Sequence, residues 1–188
     1  MNWWDLFLLI NLLWFLSEIL IGKLTFHRSK ETQTDRNSLP LLWLTILPSI
    51  FIGVYFSFTG WARLPFGPGI ALKSGLFLIL AGLLLRWSAV LTLRYYFTSN
   101  VQILKGHQLV ERGLYRLIRH PAYAGSLISF LGLGIALNSW LSVVVIFVPI
   151  FLAFSRRIKI EEEALQKAFG SDYQKYKKRS KKLIPFIY

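Results

Sequence analysis

The sequence predicts an all-α integral membrane protein with five transmembrane helices, the last two forming a tight hairpin, together with a cytoplasmic segment and C-terminal helices. Of its 188 residues, 54% are hydrophobic and only 16% are charged, whereas soluble domains carry about 25% charged residues. The apolar residues gather into runs of about 20, the length that crosses a bilayer. The chain has no cysteine, which excludes disulfide scaffolds, thiolate nucleophiles and iron–sulfur sites. Its length suits a single domain, residues 1–188.

Residues 1–93 are predicted to hold three spans, over residues 3–22, 40–60 and 70–93. The first lacks the basic leader region and the small-residue cleavage site of a signal peptide, so we interpret it as a retained helix. Residues 61–69 contain two prolines and two glycines and are predicted to turn. Glu18 and Arg86 lie near the inner ends of the first and third spans. An ion pair between them would tie the two helices, although separate snorkelling to the headgroups explains them equally well.

Residues 94–188 are predicted to comprise a polar segment, a helical hairpin and a charged tail. The polar segment covers residues 94–123, and the apolar run 124–154 is too long for one span and is broken at Asn138 and Ser139. The tail, residues 155–188, has helical character. Gly170 resembles a C-cap, Ser171 the N-cap of a second short helix and Pro185 a terminator.

The distribution of charge predicts the orientation in the membrane. With the N-terminus outside, 19 of the 22 Lys and Arg residues face the cytoplasm, and both unusual polar segments lie on that side. This asymmetry explains the net charge of +13 without a nucleic-acid partner.

The polar segment concentrates hydrogen-bonding side chains at the predicted membrane edge. Pro121 biases His120 away from helical geometry, so the Arg119-His120-Pro121 unit should lie at a break before the fourth span. Unpaired backbone groups at such a break are tolerated only when they are buried in protein or line a polar cavity. Arg94, Tyr95, Tyr96 and Arg116 can be explained as an interfacial belt whose side chains reach the headgroup level. Such a belt explains the two histidines, His107 and His120, less well.

The tail begins with a second polar motif. Arg157 and Glu161 are four residues apart and share one helix face, a spacing that is also common on solvated helices. Glu161, Glu162 and Glu163 repel one another unless a cationic group lies opposite.

Taken in order, these motifs resemble one enzyme family. They read His107-Gln108-Leu109-Val110, Gly113, Tyr115, Arg119-His120-Pro121, Tyr123 and Gly125, then the hairpin, then Arg157, Glu161-Glu162, Phe169-Gly170, Tyr173, Tyr176 and Ile184-Pro185-Phe186-Ile187. The order resembles that of the isoprenylcysteine carboxyl methyltransferases and their phospholipid N-methyltransferase relatives. These are membrane enzymes that use S-adenosyl-L-methionine.

The resemblance implies a cofactor site and an acceptor site. The implied cofactor-binding residues are Gln102, His107, Gln108, Leu109, Val110, Tyr115, His120, Pro121, Ala122, Tyr123, Glu161 and Glu162. Glu161 would accept hydrogen bonds from the α-ammonium of the cofactor, and Arg157, one turn earlier, would face the acceptor as the catalytic and substrate-binding residue. The implied acceptor is lipophilic or prenylated, most simply a prenylcysteine carboxylate. Membrane lipids surround the site, and neither nucleic acid nor a metal is expected.

Other functions remain open at this point. The acceptor could be a phospholipid amine or a small hydrophobic acid, amine or thiol; an amine would also need deprotonation, for which the two histidines are the only evident bases. An NADPH-dependent sterol-reductase relative has a similar Tyr-rich ending, but the compact Arg-x-x-x-Glu-Glu motif favours the methyltransferase. A non-enzymatic membrane scaffold is a further alternative. We interpret His27 as solvated, and Gly132 and Gly134 as helix-packing residues.

Overall fold

The computed structural model describes residues 2–26, 38–104 and 106–184, which form a bundle of five apolar helices. The helices are α1 (Trp3–Phe26), α2 (Ser38–Thr59), α3 (Gly67–Leu93), α4 (Pro121–Ala136) and α5 (Trp140–Arg179). Within these described ranges the only β-type pairings are two isolated bridges. The predicted all-helical fold is therefore confirmed. His27 and the proposed terminator Pro185 lie outside the described residues.

The helices differ in how completely they can cross a bilayer. Helices α1, α2, α3 and α5 are long and apolar enough to do so, which makes the chain an integral, multi-pass membrane protein. Helix α4 has only 16 residues, fewer than the about 20 that a full crossing needs. Helix α1 continues to Phe26, past the predicted end at residue 22, and α5 continues from the apolar run into the charged tail, where Gly170 is its one non-helical residue.

The structure has helix breaks at the positions that the sequence predicts. Helix α4 ends at Ala136 with Leu137 as its C-cap, and Asn138 adopts a left-handed φ of 54°. The side chain of Ser139 accepts a hydrogen bond from the Ser142 backbone at the start of α5. The two helices thus form the predicted hairpin. Within α5, Gly170 has φ 51° and ψ −118°, a conformation that glycine adopts without a Cβ clash, and the helix changes direction there.

Helices α3 and α4 pack backbone against backbone through glycines. A Cβ on Gly82 would lie 2.5 Å from the carbonyl oxygen of Gly125, and one on Gly132 would lie 2.7 Å from that of Gly75. A Cβ on Gly134 would meet the α5 backbone at 2.8 Å. The packing role predicted for Gly132 and Gly134 is confirmed, since small residues allow close approach of membrane helices.

An ion pair joins α1 to α3. Arg86 Nε and Nη2 donate to the two carboxylate oxygens of Glu18 at 2.5 and 2.6 Å, which confirms the ion pair over separate snorkelling. Arg86 also donates to the Ala122 carbonyl at 3.3 Å. Trp14 of α1 packs on Phe130 of α4 with ring centroids 4.9 Å apart. Helix α1 is therefore held across both α3 and α4.

The C-terminal segment, residues 180–184, folds back onto the chain that precedes α4. Lys181 N donates to the Leu117 carbonyl at 3.0 Å, and the backbone N–H groups of Arg119 and His120 donate to the carbonyls of Lys181 and Lys182 at 2.8 and 3.1 Å. This pairing satisfies backbone groups at the break that Pro121 creates.

Candidate active site

One cavity of about 500 Å³ lies between the helices and beneath the polar segment. Its polar end is lined by His107, Tyr115, Tyr123, Arg157 and Glu161 among others. Its apolar end is lined by side chains of α1, α2 and α4, including Phe7, Trp14, Ile46, Val54, Phe130 and Leu137. The cavity is therefore large enough for a small-molecule ligand and amphipathic along its length.

The cavity gathers most of the residues expected at the site. Its lining includes Gln102, His107, Leu109, Val110, Tyr115, His120, Ala122, Tyr123, Arg157 and Glu161. Gln108, Pro121 and Glu162 do not line it. Pro121 is fully buried as the first residue of α4, preceded by His120 at φ −125° and ψ 56°. Pro121 thus enforces the predicted break, because its ring disfavours helical backbone angles at His120.

A hydrogen-bonded chain links Arg157, Tyr123 and Glu161. The Tyr123 hydroxyl donates to Glu161 Oε2 at 2.8 Å and accepts from Arg157 Nε at 2.9 Å. Arg157 is only 4% exposed, and it also donates to Ser38 Oγ at 2.8 Å and to the Ser99 carbonyl. Burying a guanidinium requires such partners. The arrangement places one cation and one carboxylate side by side on the cavity wall.

Glu162 points away from the cavity and anchors the loop before α4. Its Oε1 accepts from Arg119 Nε at 2.8 Å and lies 3.4 Å from His120 Nε2, and its Oε2 lies 3.7 Å from Lys177 Nζ. Arg119 and Lys177 supply the cationic groups that the run of three glutamates requires. Of the two adjacent glutamates, only Glu161 faces the cavity.

His107 presents an unsatisfied nitrogen at the polar end. Its ring stacks on Tyr96 at 4.8 Å and meets the edge of Phe169 at 5.6 Å. Its Nδ1 is buried without a hydrogen-bond partner among the described residues. Burial lowers the pKa of His107 from its ordinary value, and the nearby Glu161 carboxylate opposes that shift, so the neutral ring is favoured. Tyr96, expected in the interfacial belt, lines the cavity instead.

Tyr173 is a site residue that sequence reasoning noted only as part of a motif. Its side chain is fully buried, its hydroxyl has no hydrogen-bond partner in the described part of the chain, and it lines the cavity. The neighbouring Tyr176 hydroxyl, one turn further on, donates to the Tyr115 carbonyl at 2.6 Å. Burial of Tyr115 raises the pKa of its hydroxyl well above its ordinary value, and the negative charge of Glu161 adds to that increase. A buried hydroxyl without a hydrogen-bond partner costs free energy, which makes Tyr173 a candidate for a ligand contact.

Comparison with known proteins relates the residues of this cavity to one family. The model of the isoprenylcysteine carboxyl methyltransferase family matches residues 75–167, the range that contains every predicted site residue. Residues 75–167 of the chain are thus similar to the isoprenylcysteine carboxyl methyltransferase family. The resemblance carried by the sequence motifs is thereby confirmed.

Relatives of the methyltransferase family extend the match beyond that range. Protein-S-isoprenylcysteine O-methyltransferase B of Arabidopsis thaliana is 35% identical over 115 residues, which are 60% of this chain and 58% of that protein. The enzyme of Saccharomyces cerevisiae with the same name is 34% identical over 60% of this chain and 48% of its own length. A solved eukaryotic intramembrane Ras methyltransferase of this family superposes with a TM-score of 0.62 at 30% identity, covering 82% of this chain and 55% of that one. The chain thus spans about half to three fifths of the length of these relatives.

Two parts of the cavity fall outside the family match at residues 75–167. Tyr173 follows it, and the apolar walls from α1 and α2 precede it. The sequence does not distinguish those wall residues, because side chains that face an apolar cavity and side chains that face the bilayer are equally apolar.

Proposed function

We propose that the chain is a membrane methyltransferase that transfers a methyl group from S-adenosyl-L-methionine to the carboxylate of a prenylcysteine-type acceptor. One observation carries the proposal: a single cavity joins the Arg157–Tyr123–Glu161 cluster to an apolar channel between α1, α2 and α4. Such a cavity can hold a polar donor and an oily acceptor at the same time. The names of the relatives point to the same reaction.

The polar end fits the donor. Glu161 would accept hydrogen bonds from its α-ammonium, since charge-assisted bonds of this kind are among the strongest. The unpartnered Nδ1 of His107 and the unpartnered hydroxyl of Tyr173 would bind further polar atoms of the donor. The aromatic faces of Tyr96 and Tyr115 favour a cationic sulfonium nearby. Gln102, Leu109, Val110 and Ala122 would complete the enclosure, while Glu162 would act indirectly by holding Arg119 and His120.

The apolar end fits the acceptor, with Arg157 at the junction. A guanidinium forks onto a carboxylate, and the acceptor carboxylate would replace the Ser38 hydroxyl or the Ser99 carbonyl on Arg157. The oily part of the acceptor would extend along the channel towards Phe7 and Leu137. Arg157 would thus position the reacting oxygen beside the donor.

The chemistry needs positioning more than proton transfer. The donor supplies an electrophilic methyl group, so that an oxygen–carbon bond forms as the carbon–sulfur bond breaks and its electron pair leaves on sulfur. An acceptor carboxylate is already ionised near neutral pH, so no general base is required. Arg157 orients the nucleophile, and the buried walls exclude water that would compete for the methyl group.

The experiment uses the chain in proteoliposomes with methyl-tritiated donor. We expect label in N-acetyl-S-farnesylcysteine and none in the matched amide, which lacks the carboxylate. Phosphatidylethanolamine tests the amine alternative in the same assay. Label in phosphatidylethanolamine, or equal label in the acid and the amide, would contradict the proposal.

Variants separate the two ends of the site. Arg157→Ala should lose most turnover while the affinity for S-adenosylhomocysteine changes little, and Glu161→Gln should weaken that affinity. Glu163→Gln is the matched control, because Glu163 is exposed on the same helix. An Arg157→Ala variant that no longer bound S-adenosylhomocysteine, yet turned over normally at saturation, would reverse these roles.

We also propose that the N-terminus lies outside and the site faces the cytoplasm. The absence of native cysteine permits a direct test with single cysteines. Trp61→Cys should react with an impermeant maleimide from outside intact cells, whereas Lys167→Cys should react only after permeabilisation. The opposite labelling pattern would invert the topology.

A further inference from the structure

We propose that the chain carries a binding surface for anionic phospholipid headgroups, formed by Arg116, Leu117, Lys178, Lys181 and Ile184. These five residues are called the headgroup surface below. The proposal concerns lipid binding and does not depend on methyl transfer.

The first observation is an excess of positive charge at this place. Residues 175–182 contain six Lys and Arg and no Asp or Glu. Three of the six have carboxylate partners: Lys175 pairs with Asp172 at 3.2 Å, Lys177 with Glu162 at 3.7 Å and Arg179 with Glu111 at 2.6 Å.

Three cations of the headgroup surface have no such pairing. Lys178, Lys181 and Arg116 are exposed, and no carboxylate of the described residues lies within salt-bridge distance of them. Arg116 lies beside Lys181, because the Lys181 backbone donates to the carbonyl of the adjacent Leu117 at 3.0 Å. Local acids therefore leave this cluster uncompensated.

The second observation is that exposed apolar side chains lie among these cations. Leu117 and Ile184 are 48% and 50% exposed, although each is next to a residue that is buried in the main core, Ile118 and Leu183 respectively. Leu117 lies four residues before the start of α4 and is paired with Lys181 just after the end of α5, so the surface lies at the end of the bundle. Lysines flanked by outward apolar side chains at the end of membrane helices match the interface between headgroups and acyl chains.

Charge alone would not require a bound lipid, because topogenic signals need only the number of basic residues. The placement here is more specific: the backbone pairing of Lys181 to Leu117 brings Arg116, Leu117 and Lys181 together at the chain before α4. Clusters of four to eight basic residues beside a membrane helix attract anionic lipids. An acidic segment of a protein would satisfy the charges but would leave Leu117 and Ile184 in water.

Bound lipid should stabilise the fold at one definite place. Residues 117–120 are held by backbone hydrogen bonds to Lys181 and Lys182, and a ligand that binds only the folded surface stabilises the native state. Anionic lipid should therefore raise the melting temperature of the full chain.

The test titrates purified full-length chain in detergent with phosphatidylglycerol or phosphatidylcholine and measures retained lipid by native mass spectrometry. The wild type should bind phosphatidylglycerol more tightly. Each lysine near an anionic surface contributes about fivefold in affinity, so Lys178→Gln/Lys181→Gln should lower the preference about 25-fold. Lys167→Gln is the matched control, because Lys167 is exposed on α5 before the Gly170 break and outside the headgroup surface. It should keep the wild-type preference.

Two further measurements decide between outcomes. In phosphatidylcholine alone, the double variant should have the same melting temperature as the wild type, which would show that it is folded. In phosphatidylglycerol, only the wild type and Lys167→Gln should increase in melting temperature. Leu117→Ser should weaken phosphatidylglycerol binding. A double variant that kept the full preference would overturn the proposal. The proposal would also be overturned if a soluble polyglutamate peptide bound as tightly as the lipid and its affinity did not change in Leu117→Ser. That result would assign the surface to acidic protein segments.

Discussion

Gly82→Ala should displace one wall of the candidate active site without contacting that site directly. The new Cβ would lie 2.3 Å from Ser129 Oγ and 2.5 Å from the Gly125 carbonyl, whereas ordinary contact begins near 3.4 Å, so α4 must retreat by about 0.9 Å. The Gly125 carbonyl is backbone and cannot rotate aside. Overpacking of this kind costs about 1–3 kcal/mol. Tyr123 lies two residues before Gly125 on the same helix, and a misplacement of about 1 Å at a site can lower a rate about 100-fold.

The assay for Gly82→Ala combines thermal unfolding in detergent with methyl transfer at saturating substrate. Gly69→Ala is the matched control, because Gly69 lies in the same helix and an added Cβ meets nothing within 4 Å. The control should keep wild-type activity and stability, or gain slightly, since alanine favours helix over glycine. If Gly82→Ala melted and turned over like Gly69→Ala, the reasoning that close α3–α4 packing positions Tyr123 would be refuted.

Three other perturbations test separate parts of the structure. Reversing Glu18 or Arg86 alone should destabilise the chain by about 3–5 kcal/mol, and the swap Glu18→Arg/Arg86→Glu should recover most of the lost melting temperature; a double variant as unstable as the singles would argue against the pair. Tyr173→Phe should leave the ligand-free protein as stable or about 1 kcal/mol more stable, because a buried unpaired hydroxyl is removed, yet bind S-adenosylhomocysteine less tightly, and unchanged affinity would exclude a ligand contact. Because burial lowers the pKa of His107, the folded state binds fewer protons than the unfolded state near that pKa. The contribution of the neutral His107 ring to stability is therefore present above about pH 6.5 and declines as the pH falls below that value. The melting temperature of His107→Phe should therefore fall less than that of the wild type between pH 7.5 and 5.5, and parallel profiles would contradict the assignment.

Local signals in the sequence predicted the parts of the fold that depend on local chemistry. Pro121 predicted the break before α4 because its ring restricts the preceding residue. Gly170 predicted the interruption of α5 because glycine tolerates a positive φ. The pairing of Glu18 with Arg86 followed from similar depth in the membrane, since charges there seek partners.

The remaining parts depend on contacts between distant residues. The return of Lys181 to Leu117 joins backbone groups 64 positions apart, and no side-chain pattern specifies a backbone pairing of that kind. Ser38 and Ser99 have no distinguishing sequence signal, yet both contact Arg157. Tyr173 could have been singled out by the spacing of Tyr173 and Tyr176 just after Gly170, because two aromatic residues on one face of an otherwise basic helix indicate a buried side.

The adjacent glutamates show how one helix can serve both the cavity and its support. Consecutive residues of an α-helix point about 100° apart, so when Glu161 faces the cavity, Glu162 faces the loop that carries Arg119 and His120. Arg157 is one turn before Glu161 and therefore shares its face, where Tyr123 joins the two side chains. A straight continuation of α5 would carry the next turns away from the cavity, but the break at Gly170 redirects the helix so that Tyr173 lines the same space. The Arg-x-x-x-Glu-Glu motif and the following glycine thus work together: the motif sets the rotation of α5 about its axis, and the glycine returns its last turns to the site.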